Sequence, residues 1–171
     1  KQYNENDKEN LLGNTLMRYF LDFLRKENSI NDTSAGYFQK GINAILNKRG
    51  EDFLDLFFKE KMILDSFINR LSYKAIMEIS IRILFIDFIP PENRKDFMVN
   101  ERKSFLWGII ENLKGNSSQE AKENIIFSFK KIFLERKIES YEIGLLDIFL
   151  DKEKVYFFLQ LIQKSDVYIL H

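Results

Sequence analysis

The stretch from Leu71 to Pro91, LSYKAIMEISIRILFIDFIPP, constrains the fold more than any other part of the chain. Apolar residues at Ala75, Ile76, Met77, Ile79, Ile81, Ile83, Leu84, Phe85, Ile86, Phe88 and Ile89 cover nearly every direction, while Lys74, Glu78 and Arg82 recur at i, i+4 and i+8. A helix patterned this way is buried on most sides and keeps one narrow polar stripe. A strand competes, because Ile79, Ile81, Ile83 and Phe85 alternate with Ser80 and Arg82, and β-branched residues favour strands. Length decides for the helix: no turn residue interrupts Tyr73 to Asp87, a run long for a strand and ordinary for a helix. The Pro90-Pro91 pair then ends it, since proline disfavours helix at the preceding residue and has no N–H to donate.

With 171 residues the chain makes one domain, large enough to bury a substantial fraction of its surface. Lys plus Arg and Asp plus Glu number 26 each, so the formal net charge is zero. That argues against a dedicated binder of nucleic acid or anionic membrane, which needs a basic surplus. No cysteine is present, which excludes a disulfide framework, a thiol nucleophile and a thiolate metal site, and fits a reducing compartment, cytoplasmic or nuclear. The start at Lys1, the lack of a signal peptide and the lack of a membrane-length apolar run lead to the expectation of a soluble segment cut from something longer.

Only two prolines and seven glycines occur, and charged residues fall between apolar triplets at helical spacing, so the expected class is all-α. The first helix is expected over Lys8–Lys26, with Leu11, Leu12, Leu16, Tyr19, Phe20, Phe23 and Leu24 inward. The second starts at Asp32 or Thr33, carries Tyr37, Phe38, Ile42, Ile45 and Leu46, and stops at Gly50 in the left-handed position past a helix end. A short helix follows over Glu51–Lys59 with Phe53, Leu54, Phe57 and Phe58 inward, then another over Met62–Leu71, and Ser72 is the expected N-cap of the central helix. Beyond Pro91 the pattern predicts a helical piece to Val99, a break at Asn100 and a helix over Glu101–Lys114. Ser117-Ser118-Gln119-Glu120 reads as a capping box that opens a helix to Arg136. Helices over Ser140–Leu150 and Asp151–Lys164 complete the series.

Helix starts near Thr33, Ser72 and Ser117 lie about 40 to 45 residues apart, the period of armadillo or HEAT arrays. The expected architecture is one helical-repeat domain over residues 1–171, its antiparallel helix pairs stacked as a right-handed solenoid segment; a compact helical bundle is the alternative.

Catalytic constellations are nearly absent. The single histidine, His171, is terminal, so no serine triad can form inside the domain, and Gly36, Gly41 and Gly50 make no phosphate loop. Asp52, Asp55 and Glu60, and likewise Asp147, Asp151 and Glu153, lack the spacing and central glycine of a calcium loop; solvated helix faces and N-terminal charges account for them. No catalytic residue, metal or cofactor is expected, and a carboxylate-based enzyme is the weakest reading. Lys48, Arg49, Arg94, Lys95, Arg102 and Lys103 are interleaved with acids and form no nucleic-acid stripe, which disfavours an RNA-binding repeat. The Lys74, Glu78, Arg82 stripe reads either as an exposed ladder of i,i+4 pairs or as the one direction in which a buried helix meets a partner.

The order of residues from Ala35 to Leu84 resembles the central region of the SAPS domain, found in regulatory subunits of protein phosphatase 6 and its fungal counterpart. The resemblance rests on Tyr37, Phe38 and Lys40, on Ile45, Leu46 and Arg49, on the pair Phe53-Leu54, and above all on Ala75, Ile76, Met77, Glu78, Arg82 and Ile83 in order. Asn100, Glu101, Arg102 and Lys103 are similar to the family's Asn-Glu-Glu-Lys with one charge reversed, whereas Ser72-Tyr73-Lys74 replaces its usual Gly-Thr-Ser. The similarity extends over Leu11 to Phe133 and fades beyond, as expected of part of a longer or divergent SAPS domain. It implies a non-catalytic helical scaffold that binds a serine/threonine phosphatase catalytic subunit, with room for further scaffold subunits, and directs it to substrates. We place the expected partner contacts at Lys74, Glu78, Arg82, Asn100, Glu101 and Lys103. An adaptor unrelated to phosphatases is the alternative.

Overall fold

The computed structural model describes residues 13, 15–25, 30–85, 95–114, 117–135 and 151–164, and all regular secondary structure among them is helical. Helix α1 occupies residues 15–21 and tightens into a 3-10 turn at Asp22–Arg25. There follow α2 (Asp32–Lys59), α3 (Lys61–Ile68), α4 (Lys74–Phe85), α5 (Lys95–Glu111), α6 (Gln119–Glu135) and α7 (Lys152–Lys164). The expectations for Lys8–Asn10, Pro90-Pro91, Ser140–Leu150 and His171 lie outside the described residues.

Side-chain caps explain where several helices begin. Helix α2 starts at Asp32 as the pattern predicts, and Asn31 caps it: Asn31 Oδ1 accepts from the Ser34 amide at 2.9 Å, and Ser34 Oγ accepts from the Asn31 amide at 2.9 Å. This reciprocal pair is a capping box. The box expected at Ser117 to Glu120 does not form. Ser118 is the capping residue, its hydroxyl accepting from the Ala121 amide at 3.2 Å, while Ser117 turns back to bond Asn112. At the start of α4 the Tyr73 carbonyl accepts from the Ile76 and Met77 amides, so the first helical turn opens one residue later than a cap at Ser72 implies.

Two predicted breaks come out differently. The stop at Gly50 is a kink inside α2, centred on Arg49 (φ −142°, ψ 46°), and Gly50 is not in the left-handed region. Arg49 holds the corner by a two-pronged contact with Asp52, Nε at 2.9 Å and Nη2 at 2.7 Å, so the residue just before the glycine absorbs the bend. The break at Asn100 does not occur; α5 runs through it. Asparagine is a weak helix former but lacks the ring clash of proline, so packing of the flanking turns overrides its preference.

The core is a continuous apolar cluster with phenylalanine at its centre. The Phe57 ring lies 5.7, 5.1, 5.0 and 5.3 Å from those of Phe53, Phe58, Phe67 and Phe105, most of them edge-on, the arrangement that ring quadrupoles favour. One side chain thereby ties α2, α3 and α5 together. Phe53, Leu54, Phe57 and Phe58 are buried as expected. Leu24 in the 3-10 turn is buried as expected, but on α1 the buried face is rotated: Met17 and Leu21 are buried, whereas Leu16 and Tyr19 are 59% and 73% exposed, and on α2 Tyr37 is also exposed. Periodicity alone does not fix which edge of a wide apolar stripe meets the core.

Helices α2, α4 and α6 lie side by side and run the same way. Gln39 on α2 meets Glu78 on α4, and eight residues further along α2 Asn47 meets Arg82. Between α4 and α6, Asn124 Nδ2 donates to the Leu71 and Ser72 carbonyls at 3.0 and 2.8 Å, and Lys74 sits over the Phe127 ring at 6.0 Å. Ile68 of α3 packs on Gly108 of α5, and Trp107 of α5 packs on Phe157 of α7 at 5.5 Å.

Candidate functional site

The central helix carries the polar stripe, and its surroundings divide the stripe in two. Ile76, Met77, Ile79, Ile83, Leu84 and Phe85 are buried on the remaining faces, as is Ser80, whose hydroxyl donates to the Ile76 carbonyl at 2.8 Å. Arg82 is half-buried and faces α2, donating to the side-chain carbonyls of Asn43 and Asn47. Glu78 is exposed but tethered, accepting from Gln39 Nε2 at 2.8 Å and standing 4.0 Å from Lys74 Nζ. Gln39, Asn43 and Asn47 form their own i, i+4, i+8 row on α2, so two helical stripes of matching period lie against each other. Sequence reasoning did not single out the α2 amides, although their spacing was there to be read.

Lys74 and Glu78 also form one rim of an open cavity of about 500 Å³ between α4 and α6. Met77 and Ile81 line it from α4, Phe127 and Ile132 from α6, with Lys131 on the far rim. Phe127 is 60% exposed despite its size. A cavity of this size with apolar walls and a few polar groups suits a ligand or a set of partner side chains. Ile125, Ile126, Phe129 and Ile132 of α6 are buried, so Phe127 stands out from the apolar face of its own helix.

The three expected contacts on α5 stand elsewhere. Asn100 is exposed, Glu101 and Lys103 are half-buried, and Glu101 lines a separate cavity of about 370 Å³ with Lys61, Leu64 and Ile68 of α3. The six residues therefore do not line one common cavity. Between Glu101 and Lys103, Arg102 is 1% exposed and belongs to the core, so it adds no charge to a surface stripe.

Two exposed carboxylates have lowered pKa values, both for helix-terminal reasons. Glu120 is held below its ordinary value by its own backbone amide and then by the Ser118 hydroxyl. Asp151 is held down chiefly by the Lys154 amide, with further help from the Glu153 amide and the Lys154 ammonium. These are capping interactions at the starts of α6 and α7, where N–H groups lack intrahelical partners. Among the described residues no group of His, Cys, Asp or Glu is placed to hold a metal ion, and no helix is long and apolar enough to cross a membrane. Compared with protein-family models, curated proteins and solved structures, the chain matches none.

Proposed function

We propose that the chain is a non-catalytic scaffold whose helix pairs stack as an armadillo- or HEAT-like right-handed solenoid segment. On this reading it binds a serine/threonine phosphatase catalytic subunit of the protein phosphatase 6 type and directs it to substrates. The observation that carries the scaffold is the same-direction packing of α2, α4 and α6. Gln39 and Glu78 are 39 positions apart, close to the offset of one helix pair in such arrays. Helix α4 also packs on α2 and on α6 more extensively than on α3 or α5, its neighbours in sequence. In a simple up-down bundle, consecutive helices are the main neighbours, so this supports stacking over a closed bundle.

The phosphatase rests on the resemblance at Ala35 to Leu84 alone. Its residues Phe38, Phe53, Leu54, Ile76, Met77 and Ile83 are buried and build the packing between helices, while Glu78 and Arg82 brace α4 on α2. A shared scaffold is what such residues would specify. The proposed contacts fall on two surfaces, Lys74 and Glu78 on the α4 rim, and Asn100, Glu101 and Lys103 on α5. Arg82 acts from beneath, by holding α4 in register.

Co-purification tests the partner. The chain in its natural full-length context is expected to retain a protein phosphatase 6 type catalytic subunit, and Glu101→Lys combined with Asn100→Ala is expected to weaken capture while leaving the helical content unchanged. No retention by the intact protein would leave an adaptor for another partner as the reading.

A further inference from the structure

We infer that the groove between α4 and α6 is a docking site for an amphipathic helix of a partner protein, one that inserts apolar side chains and presents a carboxylate at its edge. The inference rests on the scaffold reading but not on the phosphatase, and three observations lead to it.

The first is shape and apolarity. Met77 and Ile132 form a buried floor, Ile81 is half-buried, and Phe127 stands 60% exposed over a cavity of about 500 Å³. A large exposed aromatic above an apolar floor provides the kind of pocket in which interface anchors are buried.

Charge is the second. Lys74 is shared between Glu78, at the 4.0 Å limit of an ion pair, and the Phe127 ring at 6.0 Å. Lys131 is exposed on the opposite rim. Lys74 and Lys131 against the single carboxylate of Glu78 leave the rim with one excess positive charge, on the α6 side. A carboxylate on the occupant complements it, and a cation there is repelled.

The third decides between a helix and an extended segment. An extended peptide must find partners for its backbone N–H and C=O groups, whereas a helix satisfies its own. The groove has few such partners to offer. Asn124 Nδ2 is spent on the Leu71 and Ser72 carbonyls and Glu78 on Gln39 and Lys74, which leaves the Asn124 side-chain oxygen and the Ser128 hydroxyl among its polar groups. A helix laying apolar residues at i, i+3, i+4 and i+7 along the groove fits these conditions.

Selection from a random-peptide phage library on the intact chain, followed by fluorescence anisotropy with the selected peptides, tests the assignment without any phosphatase present. The expected peptides carry apolar residues at helical spacing with Asp or Glu beside them. Phe127→Ala is expected to weaken their binding about tenfold or more, as for loss of a central aromatic anchor. Lys131→Glu is expected to weaken it about fivefold and to invert its salt dependence, added salt then screening a repulsion and strengthening binding, as for reversal of a rim charge. Both side chains are exposed, so circular dichroism is expected to report an unchanged fold. Failure to select any peptide whose binding depends on Phe127 overturns the inference, as does selection of basic or extended, alternating peptides. Phe127-dependent self-association in sedimentation would instead assign the groove to a second copy. Phosphatase capture by the Phe127→Ala chain is measured separately, so that either reading can fail alone.

Discussion

Arg82 on α4 donates from Nη2 to the side-chain carbonyl of Asn47 on α2 at 2.5 Å, and from Nη1 to that of Asn43 one helical turn earlier. Neutral amides, not carboxylates, receive the guanidinium, so the contact fixes position without cancelling the charge. With Gln39 holding Glu78 at 2.8 Å, the polar stripe of the central helix becomes an internal brace along its α2 side. Only its Lys74 end, together with the solvent side of Glu78, remains turned towards the α4/α6 groove.

Arg82→Met keeps most of the aliphatic packing and removes the two charge-assisted hydrogen bonds. Bonds of that kind contribute about 1.5–3 kcal/mol when well shielded; for a half-buried guanidinium the expected loss is about 1–2 kcal/mol. Asn47→Ala combined with Arg82→Met in a double-mutant cycle is expected to give a coupling of about 0.5–1 kcal/mol by urea denaturation. Strict additivity of the two losses would show that the bond contributes nothing.

Two glycines five residues apart on α2 are expected to respond with opposite sign. A Cβ at Gly36 meets no heavy atom within 4 Å, so Gly36→Ala is expected to stabilise by about 0.5–1 kcal/mol through helix propensity. A Cβ at Gly41 runs into the Phe20 ring, with two ring carbons at 3.0 and 3.1 Å and a third closer. That ring stacks on Phe38 at 4.9 Å and cannot yield without disturbing the core, so Gly41→Ala is expected to cost about 1–3 kcal/mol less the propensity gain. Thermal midpoints that move in the same direction for both variants would contradict the packing argument.

Phe57 is the side chain on which the core converges. It is fully buried, and its ring meets those of Phe53, Phe58, Phe67 and Phe105. Phe57→Ala is therefore expected to cost about 3–5 kcal/mol, a large share of the stability of a domain of this kind. Tyr37→Ala, on the same helix but 68% exposed, is expected to cost under about 0.5 kcal/mol. Guanidinium unfolding curves for the two variants should separate widely; a small shift for Phe57→Ala would mean that the site collapses around the loss.

Much of this fold could be read from apolar spacing, because burial is a one-dimensional signal along a helix. The central helix, the buried quartet of Phe53, Leu54, Phe57 and Phe58, and the start of α2 at Asp32 all follow from it. Helix ends were less legible, since one hydrogen bond decides them. Ser117 and Ser118 are equivalent by sequence, and only the competing bond of Ser117 to Asn112 assigns the cap to Ser118. Gly50 drew attention as a terminator, yet Arg49 takes the bend because Asp52 lies within reach of its guanidinium. The groove was least legible of all. Phe127 reads as one more apolar residue in FSFKK until α4 is placed beside it, and Gln39, Asn43 and Asn47 read as ordinary surface amides until Arg82 faces them.

Acid is expected to loosen the starts of α6 and α7 before it reaches the core. Glu120 and Asp151 both have folded pKa values below the ordinary 4.5 and 3.8. A carboxyl with a lowered folded pKa binds its proton more readily when unfolded, so its contribution is fully present above the ordinary value and is lost as pH falls through the folded one. Stability is thus expected to be level in this respect above about pH 5 and to decline below about pH 4. Asp151 is the sharper test, because its Oδ1 accepts from the Glu153 and Lys154 amides at 3.0 and 3.3 Å. Asparagine caps about as well as aspartate and does not titrate, so Asp151→Asn should preserve α7 near pH 7 and abolish its share of the acid-dependent loss. Amide hydrogen exchange at Glu153 and Lys154 reads this locally, as protection that falls as the pH drops below 3.8 in the parent chain and stays level in Asp151→Asn. Equal loss of protection in both would mean that protonation of Asp151 does not govern the start of α7.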